Sequence, residues 1–225
     1  MVAARARFLS AGHYSLLSDA LVEVASACPV PNNLLMEVGS GTAYYLARIL
    51  DTNPGSLGIA VDLSKYAARR AAKANIRIGS IVGDIWDRLP VADGAVGLTL
   101  NVFAPRQAKE LHRTLHREGI LAVVTPQQNH LAELREMLGL LNIDPAKQAR
   151  LDLAFEPFFR LAARIPLQWN LRLTKADVEA LAGMGPSARH IPRMVMAERL
   201  AALSEPLTVT ASLTIQIYRV VRMRN

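Results

Sequence analysis

Apolar runs recur along the first 125 positions at 34–38, 57–61, 76–82, 96–103 and 119–124. Between most of them the apolar positions repeat with helical spacing, over about 42–51, 65–74 and 106–116. Continuous apolar strands alternating with amphipathic helices predict a parallel sheet covered on both faces. That is a doubly wound α/β fold, whose ligands lie beyond the carboxyl ends of the central strands. Here those ends are Glu37–Gly41, Asp62, Gly83–Asp84, Asn101–Arg106 and Thr125–Pro126. Residues 3–27 read as helical with a break near Gly12.

The alternation stops after residue 127. A helix over 128–141 leads to Asp144-Pro145, an Arg/Leu-rich helix, Phe155–Phe159 and a strand-like run over 166–173. Thr174 and Asp177 have capping-box spacing. Residues 207–218 alternate as a half-buried edge or antiparallel strand does. The expected organisation is an N-terminal helical segment (1–32) on the lid or substrate side, a cofactor-binding core (33–127), and a helical elaboration (128–225) whose strands complete the sheet.

Composition narrows the class. Hydrophobic residues make up 51% and charged residues 20%, as in a globular protein. No apolar stretch reaches the roughly 18 residues of a membrane span, and Met1–Arg7 lacks a signal core. A cytoplasmic protein with no membrane partner is the expectation. The single Cys28 excludes an internal disulfide and any zinc site built from several cysteines. A net charge of +7 favours a polyanionic partner such as RNA, although each basic cluster, including Lys65, Arg69, Arg70 and Lys73, reads equally as a solvated face.

The chemistry starts at Glu37-Val-Gly-Ser-Gly41, where a strand ends in a tight glycine turn and a helix begins. Backbone N–H groups approach a ligand closely in such a turn. Asp62, 21 positions past Gly41, is placed to hold a ribose hydroxyl at the next strand end. A dinucleotide fingerprint needs a further glycine where Tyr44 stands, and Glu37 would repel a pyrophosphate. Beside S-adenosylmethionine (SAM), which carries an ammonium and a sulfonium, an acid is favourable. The cofactor read from these residues is therefore SAM, leaving S-adenosylhomocysteine as product. Asp84 is placed to accept from the adenine amino group, with Ile85 or Trp86 against the ring.

Several segments together resemble the bacterial 23S rRNA (guanine-N1) methyltransferases, of the Gram-positive tylosin-resistance type. They are Arg5–Tyr14, Glu37–Tyr45, Asp62–Lys65, Asn101–Arg106, Val124–Pro126 with His130–Arg135, and Met184–His190. The resemblance spans essentially the whole chain. It implies a Rossmann-like class I SAM-dependent methyltransferase fold and methyl transfer to N1 of a guanine in a 23S rRNA hairpin loop. The guanine would lie near the macrolide site of the exit tunnel, which connects the chain to macrolide resistance. Family members begin with a four-cysteine zinc ribbon, and Met1–Arg5 resembles the stretch just after it. Either the start of the protein lies further upstream, or the chain is trimmed, or it is a ribbonless variant; no metal is expected in the residues given, and a homodimer is compatible with them. Ala43 stands where a third glycine is common, and Arg117-Glu118-Gly119 replaces a Pro-Gly-Gly turn.

On this reading Tyr14, Glu37, Gly39, Gly41, Asp62, Leu63, Asp84, Ile85 and Asn101 contact SAM. Asn101, on the loop after the fourth strand, reads the guanine edge or touches the cofactor. Arg106 stabilises charge on O6 or holds a phosphate, against the simpler reading of a solvent-facing first-turn arginine. His130 is the third catalytic candidate, against a structural hydrogen-bonding role. His13, Pro105, Arg106 and His190 form the substrate side, with the Met184–His190 loop closing over an extruded base. His112 and His116 have metal-ligand spacing but no third ligand, and with Arg113 and Arg117 they read as surface. Trp86, Phe158, Phe159 and Trp169 read as core before they read as stacking platforms. Two other functions remain open: a SAM-dependent methyltransferase of a small molecule, and a SAM-binding RNA-interaction protein without catalysis.

Overall fold

The computed structural model describes residues 1–28, 30–140, 147–185 and 192–221. The predicted N-terminal helix is two helices, α1 (Val2–Ser10) and α2 (Ser15–Ala27), with Gly12 in a left-handed conformation between them. Then follow β1 (Leu34–Val38), α3 (Tyr44–Thr52), β2 (Leu57–Asp62), α4 (Lys65–Ala71), β3 (Ile78–Val82), β4 (Val96–Val102), α5 (Ala108–Thr114) and β5 (Leu115–Pro126). Beyond them lie α6 (Ala132–Leu138), α7 (Lys147–Phe155), β6 (Phe159–Leu173), α8 (Lys175–Met184), α9 (Arg193–Ala201) and β7 (Leu207–Val220). The seven strands are ordered β3-β2-β1-β4-β5-β7-β6. The β3/β2, β2/β1, β1/β4 and β4/β5 pairs are all parallel. This is the α/β architecture expected. Among the described residues no helix is long and apolar enough to cross a membrane.

Of the two readings of the C-terminal strand, edge or antiparallel, the edge is excluded. β7 lies between β5 and β6, and the edge belongs to β6. Alternation reports that one face of a strand is drier than the other, and it says nothing about how many neighbours the strand has. The predicted helix over 128–141 is shorter, Ala132–Leu138, because Leu131 takes a left-handed φ of 53° as its N-cap. Thr174 and Asp177 form the predicted capping box.

By compactness the chain forms two units, each discontinuous in sequence. One comprises Met1–Ser15, Pro126–Pro145 and Pro166–Thr214; the other comprises Leu16–Thr125, Ala146–Ile165 and Ile215–Asn225. In the first, Arg7 reaches from α1 to α8, donating to the Ala176 carbonyl at 3.0 Å and pairing with Glu179. In the second, β4 is buried along its whole length, as a strand covered on both faces must be. Met36, Val38, Val61, Leu121, Val123, Phe155 and Tyr218 belong to one apolar cluster there. Gly97 lets β4 pass Pro31, since a Cβ at that position would lie 2.2 Å from the Pro31 carbonyl oxygen.

The surface reading is corrected for His112 and Arg113 in α5, while Arg117, just beyond it, is exposed as read. The His112 ring packs against Phe158 and Phe159, and its Nε2 donates to the Val221 carbonyl at 3.2 Å. Arg113 is largely buried and forms a bidentate pair with Glu110. The same guanidinium also donates to the Leu89 and Val91 carbonyls and pairs with Asp93. Glu110 in turn accepts from the Leu89 N–H at 2.8 Å. This hub fastens the connection between β3 and β4 to α5. Burial pushes the Glu110 carboxyl up, but Arg113 and the Leu89 N–H outweigh it and hold the carboxyl below its ordinary range.

Arg113→Ala should therefore cost about 3–5 kcal/mol in denaturant unfolding, because it strands a buried carboxylate. The stability that Glu110 supplies is fully present above its ordinary value of about 4.5 and is lost as pH falls through the lowered folded value. The variant should accordingly lose part of the acid dependence that the parent shows below about pH 4.5.

Candidate functional site

The expected cofactor residues stand at successive strand ends within the unit that contains Leu16–Thr125. Following the strand order, Asp84 lies two residues beyond β3, Asp62 ends β2, Glu37 and the glycine turn end β1, and Asn101 lies near the end of β4. Three strand spacings span roughly 15 Å, room for an extended ligand laid across the sheet.

Each member is held by its neighbours. The Gly39 and Ser40 N–H groups both donate to the Val61 carbonyl, at 2.8 and 3.0 Å. Gly39, Gly41 and Ala43 take left-handed φ values of 68°, 58° and 55°. A Cβ on Gly39 would lie 2.3 Å from the Ala104 Cβ, so only glycine lets the turn touch the loop after β4. The Asp62 carboxylate accepts from Gly41 N–H with one oxygen and from Ser64 N–H with the other, both at 2.8 Å. Glu37 is buried and accepts from Leu46 N–H at 3.2 Å, in the first turn of α3. A carboxylate there is favoured by the helix dipole. Asp84 accepts from Trp86 N–H at 3.0 Å.

The apolar candidates separate. Leu63 is exposed, whereas Ile85 is buried in the core cluster. Trp86, read as core, is 65% exposed.

Asn101 belongs to β4 itself and not to the following loop, and it is fully buried. Its Nδ2 donates to the Pro105 carbonyl at 2.9 Å, while among the described residues its Oδ1 has no hydrogen-bond partner. The solvent-facing reading of Arg106 is overturned. Arg106 precedes the N-cap Gln107 of α5, it is largely buried, and its Nη1 is likewise without a partner among the described residues. Burial pulls the guanidinium down to about 10, against the opposing influence of Tyr218, and at neutral pH it remains a cation. Pro105 is exposed beside it.

Sequence reasoning missed the support behind Arg106. Thr125 donates to Gln216, Gln216 donates to the Tyr218 hydroxyl at 3.1 Å, and that hydroxyl donates to Asp152 at 3.2 Å. Asp152 pairs with Arg164. Burial, then Asp152, push the Tyr218 phenol up, so it stays neutral. The signal was available: Gln216 and Tyr218 continue the polar face of β7 that also carries Thr210, Ser212 and Thr214, opposite the apolar face of Val209, Leu213, Ile215 and Ile217. A hollow of about 500 Å³ lies beside this network, lined by Asp152, Phe155, Phe159, Arg164 and Tyr218 among others. None of the strand-end residues line it.

The remaining candidates fall in the other unit. The His13 Nε2 lies 3.1 Å from Asp177 Oδ1, and the His13 carbonyl accepts from Trp169 Nε1–H. Tyr14 is buried edge-on to Phe8 and Trp169, and burial raises its phenol far above the ordinary range. His130 Nδ1 accepts from Ser212 N–H at 3.1 Å, which leaves the proton on Nε2, 3.3 Å from the Tyr14 hydroxyl. Burial and the nearby Arg135 hold His130 down to about 4, so it is neutral with both ring nitrogens engaged. That geometry fits the structural alternative better than a base. His190 lies outside the described residues, as does most of the Met184–His190 loop. Among the described residues no cluster of His, Cys, Asp and Glu could hold a metal ion.

The donor set suits SAM on grounds internal to the structure. Ser40 Oγ in the turn and Asn101 Oδ1 are buried without partners among the described residues, and three left-handed residues open the turn backbone. Solved structures share the fold. A Haloferax volcanii methyltransferase in complex with a methyltransferase activator is 19% identical with a TM-score of 0.63, over 97% of this chain and 94% of that one. Geranyl diphosphate methyltransferase in complex with SAM is 16% identical with a TM-score of 0.54, over 96% and 90%. No family model matches the chain. Curated relatives are much nearer in sequence. The 23S rRNA (guanine(748)-N1)-methyltransferase of Streptomyces fradiae is 42% identical over 97% of this chain and 79% of its own length. A Micromonospora griseorubida protein named for 23S rRNA guanine-N1 methylation is 44% identical over the same shares. With strand-end acids, a glycine turn and identity of this extent in one chain, it belongs to the 23S rRNA (guanine-N1) methyltransferase family.

Proposed function

We propose that this protein methylates N1 of a guanine in a 23S rRNA hairpin loop near the macrolide-binding exit tunnel, working in the cytoplasm with SAM as donor. The observation that carries the reading is the identity with the Streptomyces fradiae enzyme along nearly the whole chain. When bound, SAM supplies a methyl group on a sulfonium. Asp62 holds the ribose hydroxyls with lone pairs left over from the Gly41 and Ser64 N–H groups, which fix its orientation beforehand. Asp84, Ile85 and Leu63 flank the adenine. Glu37 and the Gly39–Gly41 backbone serve the methionine end.

The reaction breaks the bond from sulfur to methyl, leaving a neutral thioether, forms the bond from methyl to N1, and passes the N1 proton to water. Negative charge grows on guanine O6 as that proton leaves. Arg106, a partly desolvated cation with an uncommitted donor, is suited to neutralise it. Asn101 Oδ1 accepts from the guanine N–H edge and holds it in line. His130 keeps Tyr14 in place through its fixed tautomer and acts as a positioning residue. Pro105 stands beside Arg106 on the substrate side.

Labelled methyl from SAM should appear in unmethylated large-subunit rRNA and map by primer extension to one loop guanine. Absence of label from every rRNA tested would refute the assignment. Asp62→Ala should abolish measurable SAM binding by calorimetry, and unchanged affinity would remove the ribose role. Arg106→Gln should lower kcat by about 10²- to 10³-fold with SAM affinity intact. Arg106→Lys should retain part of the rate by keeping the charge. Because Arg106 is protonated below about pH 10, the parent rate should not fall between pH 7 and about 9. A falling limb there that Arg106→Lys displaces would mean the arginine loses its charge earlier than its environment implies.

A further inference from the structure

Helix α4 carries a face that the cofactor and guanine sites leave unused. Ala67, Ala68 and Ala71 are buried, while Lys65, Tyr66, Arg69, Arg70 and Lys73 are exposed. Positions 65, 69 and 73 are four apart, with 66 and 70 beside them, so the exposed set shares one side of the helix and its following turn. Among the described residues none of these four cations forms an ion pair, in contrast to Arg48, Arg113 and Arg164 in the same unit. No acidic residue occurs between Asp62 and Asp84. Lys65 Nζ lies 5.5 Å from the centre of the Tyr66 ring, which is 63% exposed.

Large apolar side chains are bare in the same region. Leu63, Val82 and Trp86 are all more than half exposed, at the carboxyl ends of β2 and β3. Isolated exposed apolar residues are ordinary, but aromatic rings set among uncommitted cations form a recognisable surface. Nucleobases stack on such rings while phosphates meet the cations. The acids nearest in sequence, Asp62 and Asp84, flank the cationic stretch, and both accept backbone N–H groups, Asp62 from Gly41 and Ser64 and Asp84 from Trp86.

We propose that the outer face of α4, with Tyr66 and Trp86 as stacking rings, docks the sugar-phosphate backbone of the RNA substrate away from the reacting guanine. The proposal rests on the rRNA reading above and adds where the rest of the RNA lies. β2 is two strands from β4, so the face is displaced from Asn101 by roughly 10–15 Å. That offset suits nucleotides flanking a target base, not the base itself.

The test compares the parent with a K65A/R69A/R70A/K73A variant, using a 23S rRNA hairpin transcript titrated at several salt concentrations. Four lost phosphate contacts should make the slope of log K against log salt shallower by about 3 and reduce affinity near physiological salt on the order of 100-fold. SAM affinity and melting temperature should match the parent, which separates docking from folding. Tyr66→Ala and Trp86→Ala should each weaken RNA binding by about tenfold with the salt slope unchanged. If the parent methylates the transcript and the fourfold variant binds it with the same slope and affinity, the face is only solvated and the proposal fails. It also fails if the variant changes oligomeric state without changing RNA affinity, since the face would then belong to a second copy of the chain. A parent that neither binds nor methylates the transcript overturns the rRNA reading and this proposal together.

Discussion

The Asp62 carboxylate is the constraint on which the candidate site depends. Its two oxygens accept N–H groups from two different turns, one following β1 and one opening α4. A carboxylate holding two backbone donors cannot swing, and the donors cannot leave without stranding it. The glycine turn is thereby tied to the end of β2 twice over, because Gly39 and Ser40 already share the Val61 carbonyl. An acid that holds a cofactor hydroxyl must present its remaining lone pairs in a fixed direction, and this clamp supplies the direction before any ligand arrives.

The same economy links the turn to the loop beyond β4. Gly39 accepts the Ala104 methyl where any side chain would collide with it, and Asn101 fastens the strand to that loop through the Pro105 carbonyl. Movement of the turn is therefore movement of the segment carrying Arg106. Behind Arg106 stands a hydrogen-bonded line from Thr125 through Gln216 and Tyr218 to Asp152 and Arg164. The hydroxyls of Thr125 and Tyr218 each donate to the next member of that line, so it is joined by internal hydrogen bonds. The arginine is left with a neutral phenol as its neighbour and a donor to spare.

What could be read from the sequence divides along physical lines. Strands 34–38, 57–61 and 96–103 were legible because strands buried on both faces are written as unbroken apolar runs. The Thr174/Asp177 cap was legible because its chemistry is local. The interior place of β7 was not, since neighbour identity is a tertiary property. Nor was the burial of Arg113, whose partners Leu89, Val91 and Asp93 lie about twenty residues upstream. Ala43 was noticed as a departure from glycine, but only the backbone shows that it occupies a left-handed conformation at a cost of roughly 1–2 kcal/mol. The linear division at residues 32 and 127 follows chain order, whereas compactness groups Met1–Ser15 with segments far downstream.

The two uncommitted atoms near the β4 end argue for guanine over the other purine. Among the described residues Asn101 Oδ1 is an acceptor without a donor, and Arg106 Nη1 is a donor without an acceptor. On its Watson–Crick edge guanine offers an acceptor at O6 and donors at N1 and N2, the complement of that pair. Adenine reverses the order, with a donor at N6 and an acceptor at N1, and would set donor against donor and acceptor against acceptor. A buried polar atom left without a partner costs about 1–3 kcal/mol. Two such mismatches would penalise adenine by a factor on the order of 100 or more, before any difference in reactivity at N1. Base choice on this view follows from what the folded chain leaves unsatisfied.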